Sequence, residues 1–253
     1  MAYFDSNGVQ IYFEEHGKGE PVVLVHGFAS RAEHNWGAMN WFTTLAAHYR
    51  VVALDCRGHG KSGKPHDPAA YGGETMGDDV VRLMDHLGIK RTLIMGYSMG
   101  ARIVTGLLMM HPERLRAAVL GGIGAATASA PIFDRKPIVD ALLAENISGV
   151  KEQRARDFRQ FAEATGNDLK ALAACMGSNR EDFTAEKIAA QKIRVPVMIV
   201  IGTKDLLVGN PKLLHDAIPA SKLVMLEGHD HLSAPSDTHY KEAVLEFFKS
   251  APA

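Results

Sequence analysis

The feature that most constrains this chain is a unit that recurs along it: a short, unbroken run of Val, Ile and Leu, a Gly-rich turn, then a helical pattern. The runs fall at residues 22–25, 50–55, 92–96, 117–122, 195–202 and 222–228. Apolar runs that do not alternate with polar residues are what strands covered on both faces require, and they predict a parallel sheet. Residues 9–17 alternate instead, as an antiparallel strand near the sheet edge would. Helical patterns are expected at 36–48, 75–87, 98–111, 211–217 and 236–249. In the third helical pattern Ile103, Val104, Leu107 and Leu108 share one face, which should pack on the sheet, and Pro112 ends the helix. The last helix should bury Tyr240, Val244, Phe247 and Phe248 by the same spacing. Strand–helix alternation of this kind predicts an α/β fold, an open and mostly parallel sheet with helices on both faces.

One segment breaks the rhythm. Residues 127–194 carry no convincing strand; they contain Pro131 and Pro137 and helical patterns at 138–145 and 151–164, where Phe158 and Phe161 share a face. A helical insertion between two core strands is expected to cover the carboxyl edge of the sheet, where open α/β sheets bind ligands. The expected organisation is therefore a core domain of residues 1–126 and 195–253 with a small helical lid at 127–194.

A chain of 253 residues can bury a core without a disulfide or metal staple. Cys56 and Cys175 lack metal-ligand spacing and read as small buried hydrophobes in a reducing compartment. Lys plus Arg (28) nearly cancel Asp plus Glu (29), a balance with no electrostatic footprint for nucleic acid or an anionic membrane. The start, MAYFDSNGVQ, lacks the pattern of a signal peptide. The longest uncharged stretch, 117–133, is broken by glycines and Pro131 and is too weakly apolar to span a bilayer. A cytoplasmic location is expected, and oligomeric state stays open.

Gly96-Tyr97-Ser98-Met99-Gly100 matches G-x-S-x-G directly after a strand and opening a helix. A serine hydroxyl exposed on a sharp turn needs small residues two before and two after it. Such a serine needs a base, and the base needs an orienting acid. The loop Gly228-His229-Asp230-His231, after the last strand, offers two titratable candidates, His229 and His231. Asp205 follows the longest strand and precedes both histidines, the chain order expected of such triads. The other strand end, near Gly122, carries no carboxylate, and Asp230 lies too close in the chain to His231 to be its natural partner. A tetrahedral intermediate needs backbone N–H donors. Met99, at a helix N-terminus, and Phe28, in the His26-Gly27-Phe28 loop, are the candidates.

Together these motifs resemble the α/β-hydrolase superfamily. His26-Gly27-Phe28 resembles its oxyanion loop, residues 55–62 its D-x-R-G-x-G-x-S turn, 96–100 its nucleophile elbow, 202–205 its acid strand end, and 228–231 its terminal G-x-[GD]-H. In that terminal motif the catalytic histidine comes last, which selects His231 over His229. Ser98, where epoxide hydrolases and haloalkane dehalogenases carry aspartate, implies acyl chemistry. The stretch 97–102 is similar to that of a menaquinone-pathway lyase, in which an arginine four after the serine helps bind an anionic substrate, although Ala101 stands where that pattern has glycine. Arg102, one helical turn from Ser98, is thus a candidate substrate ligand, as are Tyr97 and His26, which flank the elbow and the oxyanion turn; His26 and His59 also shape their Gly-flanked turns.

The expected activity is hydrolysis of small to medium carboxylic esters through an acyl-enzyme on Ser98, with no metal or organic cofactor. The alternative is a lyase or C–C bond hydrolase of the same fold acting on an anionic substrate with Arg102 in the pocket. A ligand-binding receptor on this scaffold is a third, more distant expectation, and His229-x-His231 alone is a weak metal signal.

Overall fold

The computed structural model describes residues 2–72, 74–127, 134–179 and 183–252. Among them, eight strands join one sheet in the order β1-β2-β4-β3-β5-β6-β7-β8. The strands are β1 (Ala2–Ser6), β2 (Val9–His16), β3 (Pro21–Val25), β4 (Arg50–Leu54), β5 (Thr92–Tyr97), β6 (Leu115–Gly121), β7 (Val197–Gly202) and β8 (Ser221–Leu226). From β4 onward every pairing is parallel, whereas β2 runs antiparallel to both β1 and β4. Every strand expected from an apolar run is present, and the alternating segment is β2, one place in from the edge. The edge strand itself, β1, is an addition. Its local signal is Asn7-Gly8, both at positive φ (52° and 82°), the dipeptide that closes a two-residue hairpin.

Residues alternate between two apolar layers along each parallel strand. On β3, Val23 and Val25 face one layer while Val22 and Leu24 face the other. The first layer packs helices α2 (Thr75–His86), α3 (Met99–Met110) and α8 (Pro211–Ala217); the second packs α1 (Trp41–Ala46) and α9 (Thr238–Lys249). This is why the strand sequences contain no polar face. Among the described residues no helix is long and apolar enough to cross a membrane.

Two expectations are corrected. The helical pattern at 36–48 yields α1 alone, because Asn40 adopts a left-handed conformation (φ 62°) and Trp36 belongs to a separate wide turn, Glu33–Gly37. The break lets the fully buried Trp36 and Trp41 rings meet edge to face at 6.2 Å. On α9, Tyr240, Val244 and Phe248 are buried, but Phe247 is only half-buried at the margin of its layer.

Between β6 and β7 the described residues form α4 (Lys136–Leu143), α5 (Gln153–Ala164), α6 (Leu169–Gly177) and α7 (Ala185–Ala190), and no strand of the sheet. Pro131 lies outside the described residues. Helices α4, α5 and α6 share an apolar cluster of their own, built on Ile138, Leu142, Ala162, Leu172 and Met176. Ala29 and Phe28, from the loop that leaves β3, insert into it. The insertion is therefore seated on the carboxyl edge of the sheet.

Candidate active site

Parallel register aligns strand ends, and the loops that leave them converge. Val25 pairs with Gly96, Tyr97 with Gly121, and Gly202 with Leu226, so β3, β5, β6, β7 and β8 all deliver their carboxyl ends to one rim. Ser98 follows β5 with φ 54° and ψ −113°, a conformation that an L-residue rarely adopts and that costs about 1–3 kcal/mol. The flanking glycines are required by contact. A Cβ on Gly96 would lie 2.6 Å from the Ala101 nitrogen; one on Gly100 would lie 2.8 Å from the His26 carbonyl oxygen and closer still to that of Val25. The turn holds only because both side chains are absent.

His231 Nε2 lies 2.9 Å from Ser98 Oγ, and His231 Nδ1 lies 2.7 Å from Asp205 Oδ2. The carboxylate can only accept, so Nδ1 carries the proton and Nε2 presents a lone pair to the serine hydroxyl. The Asp205 side chain is fully buried, and its second oxygen accepts the Leu207 N–H at 3.0 Å. His229 turns away and pairs with Asp237 at 3.1 Å. Asp230 accepts from Ser233 and Leu232 and caps its own loop, with its carboxyl held below the usual range chiefly by those Ser233 hydrogen bonds. Gly122 makes room for the Tyr97 and His231 rings: a Cβ there would lie 2.8 Å from Tyr97 Cζ and 3.1 Å from His231 Cε1.

The oxyanion-loop candidate sits beside the elbow, where a Cβ on Gly27 would be 3.5 Å from the Ser98 Cβ. Gly27 is held through both of its backbone groups. Asn35 Oδ1 accepts the Gly27 N–H at 2.9 Å. His26 Nε2 accepts the Cys56 N–H at 2.9 Å, which leaves Nδ1 to donate to the Gly27 carbonyl at 2.8 Å. In a trans peptide the N–H opposes the C=O, so the Phe28 N–H points away from His26. Met99 N–H is the first of α3 and has no carbonyl one turn back to take it.

Two expected substrate contacts are displaced. His26 is fully buried and serves the loop through both ring nitrogens; burial pulls its pKa down to about 4, so it is neutral. Tyr97 is buried on the far side of the strand end, where its hydroxyl donates to the His231 carbonyl at 2.6 Å. Alternation explains this: a strand residue adjacent to the nucleophile points to the opposite face. Arg102 is half-buried; its guanidinium lies over the Phe183 ring at 4.6 Å and lines a cavity of about 30 Å³ with Met99, Ile103 and Glu74. That volume holds little more than water. Asn35, which no motif marks, is the buried acceptor that sequence reading missed. Among the described residues no group of three or more His, Cys, Asp or Glu side chains is arranged to hold a metal ion.

Comparison with known proteins agrees with this architecture. A family model described as the alpha/beta hydrolase fold matches residues 20–237. The chain is 31% identical to a 2-hydroxy-6-oxo-6-(2'-aminophenyl)hexa-2,4-dienoic acid hydrolase of Metapseudomonas resinovorans, over 94% of this chain and 77% of that protein. Among solved structures, a hydrolase from Pseudomonas aeruginosa PA01 superposes with a TM-score of 0.82 at 24% identity, covering 98% of each chain. The enol-lactonase of Burkholderia xenovorans LB400 superposes at 0.79 and 21% identity, covering 98% of this chain and 100% of that one.

Proposed function

The chain belongs to the alpha/beta hydrolase fold family, and on that premise we propose that it is a serine hydrolase cleaving small to medium carboxylic esters through an acyl-enzyme on Ser98. The observation that carries the reading is the unbroken hydrogen-bond relay from Asp205 through His231 to Ser98, ending on a serine held in a strained turn. His231 Nε2 takes the hydroxyl proton as Ser98 Oγ attacks the ester carbonyl. The carbonyl π electrons move to oxygen, and the N–H groups of Phe28 and Met99 hold the oxyanion. Collapse expels the alkoxide, which leaves with the proton from His231. Water, deprotonated by the same imidazole, then attacks the acyl carbonyl and releases the acid and free Ser98. Asp205 keeps the Nδ1–H tautomer and balances the imidazolium formed in each half-reaction.

The surroundings favour an uncharged substrate. Leu206 and Leu232, which follow Asp205 and His231 in the chain, are 85% and 63% exposed and set two apolar side chains beside the exposed Lys204 and Asp230. Phe28 meets Phe158 of the insertion at 5.9 Å on the other side, consistent with residues 127–194 acting as a lid. The test is hydrolysis of p-nitrophenyl butyrate, with mass spectrometry of quenched enzyme. Ser98→Ala should lose several orders of magnitude in kcat and the acyl adduct with it; near-full activity in that variant would remove the mechanism.

A second reading has one observation behind it. The 31% identical relative acts, by its name, on an oxo-dienoic acid, an anionic substrate. A lyase or C–C bond hydrolase using the same serine would employ Arg102 to bind the carboxylate. Glu74, lining the same cavity, opposes an anion there, which is why the ester reading comes first. Arg102→Met separates the two: it should spare neutral esters and cripple turnover of an anionic substrate.

A further inference from the structure

The helical insertion holds more than a cover over the rim. Residues 27–30 form a tight turn closed by the Ser30 N–H donating to the Gly27 carbonyl at 3.3 Å. Ala29 occupies its third position with φ 55°, a conformation that turns of this kind normally give to glycine. An alanine there is strained and persists only when its surroundings over-determine it. Those surroundings come from the connection between α5 and α6. Asn167 Nδ2 donates to the Ala29 carbonyl at 2.8 Å, and Thr165 Oγ1 lies at 2.8 Å from the same oxygen. The amide is itself anchored: Asn167 Oδ1 accepts the Gly60 N–H at 3.2 Å, and Arg31 donates to the Thr165 carbonyl at 2.8 Å. The Ala29 methyl is fully buried in the apolar cluster of the insertion.

The geometry points to Asn167, assisted by Thr165, as a positioning residue for the oxyanion donor at Phe28. The assignment rests on the serine-hydrolase reading above. Release of the Ala29 carbonyl lets Ala29 return to negative φ. That rotation turns the adjacent residue, and the Phe28 N–H leaves the orientation away from His26 in which it would serve the oxyanion. The Phe28 N–H meets negative charge that develops only in the transition state, so loss of its positioning should appear in the chemical step and not in ground-state binding.

Asn167→Asp is the informative substitution. It keeps the size and the acceptor for Gly60, and it replaces the donor to Ala29 with a carboxylate oxygen that repels the carbonyl. Removing an oxyanion donor outright costs about 10²–10³ in kcat, so a displaced one should cost about 10–100-fold. KM for p-nitrophenyl butyrate should stay within about threefold, and the midpoint of the kcat–pH profile should not move. Adding Ala29→Gly to Asn167→Asp should recover most of kcat, because glycine accepts positive φ without the clamp. In ¹H–¹⁵N spectra of the single and double variants, the Phe28 amide should shift in Asn167→Asp and return in the double variant, with the Met99 amide unmoved in both.

Unchanged kcat with an unmoved Phe28 amide overturns the assignment. So does a parallel loss of kcat, KM and melting temperature that Ala29→Gly does not recover, which would mark Asn167 as merely structural. If Ser98→Ala hydrolyses the ester as fast as the parent, the serine reading fails instead, and the Phe28 amide still decides whether Asn167 sets the turn.

Discussion

Replacing Asp205 with Asn exchanges one acceptor atom for a donor, and the structure dictates where that atom goes. Asp205 Oδ1 accepts the Leu207 N–H at 3.0 Å and Oδ2 faces His231 Nδ1 at 2.7 Å. An Asn oxygen that keeps the Leu207 bond puts its NH₂ toward His231. It then donates to Nδ1 and forces the proton onto Nε2, where it points at Ser98 Oγ and abolishes the base. The opposite orientation sets two N–H groups against each other in a fully buried site, at a cost of about 1–3 kcal/mol. The productive tautomer is therefore populated at roughly 1–10%. Even there the imidazolium has lost its counter-charge, and a charge-assisted hydrogen bond is worth about 1.5–3 kcal/mol, a further factor of about 10–100. The two together predict a fall in kcat of about 10²–10⁴. The upper end matches the roughly 10⁴-fold effect of the equivalent change in serine protease triads. The assay is the steady-state kcat for p-nitrophenyl butyrate at neutral pH, with thermal unfolding to establish that the variant is folded. A folded Asp205→Asn protein retaining more than about one tenth of the parental kcat would refute the tautomer argument.

At the elbow, Gly100→Ala drives a Cβ into the Val25 and His26 carbonyls, backbone on both counts, so it should destabilise by about 3 kcal/mol or more and lower the melting temperature by about 6–12 °C; an unchanged melting temperature would contradict the packing. His229, paired with Asp237, lies outside the relay, so His229→Gln should keep kcat within about threefold while His231→Gln loses several orders of magnitude; equal effects in ester kinetics would put the base in doubt. Burial holds His26 at about 4 and His59 at about 3, against about 6.5 in the unfolded chain. The unfolded state binds more protons in that interval, so the stabilisation is fully present above pH 6.5 and is lost as pH falls toward 4 and 3. Each histidine should remove about 2 kcal/mol between pH 7 and pH 5, read as a falling urea midpoint; a midpoint that is flat over that range would show that these rings are not buried neutral.

How legible the site was varies residue by residue. Ser98 could be recognised as a candidate nucleophile because everything that marks the turn lies within two residues of it: a strand before, a helix after, and two glycines with no room for a side chain. Asp205 followed from its place at a strand end. His231 could be separated from His229 only by resemblance to a family, since both are loop histidines two residues apart; the structure separates them by their different partners, Asp205 and Asp237. Tyr97 and His26 were expected beside the substrate because they adjoin the reactive segments, but strand alternation sends the Tyr97 ring under His231, and the Cys56 N–H draws His26 into the core. β1 was overlooked although Asn7-Gly8 announced a hairpin. Its five residues are too short and mixed to read as a strand until β2 is beside them.

Acting alone, the amino-acid order determined what depends on neighbours within about one helical turn: which runs become strands buried on both faces, where helices start, and which serine sits at a turn that only glycines permit. Tertiary structure decided what depends on pairs distant in the chain. Ser98 and His231 are separated by 133 residues, and Asn167 reaches back 138 residues to Ala29. Hydrophobic pattern sets which side of an element is buried, yet hydrogen bonds at 2.7–2.9 Å require the register of eight strands and the packing of an insertion to bring both partners to the same point. No local pattern carries that distance, so the relay, the tautomer of His231 and the clamp on Ala29 exist only in the folded molecule.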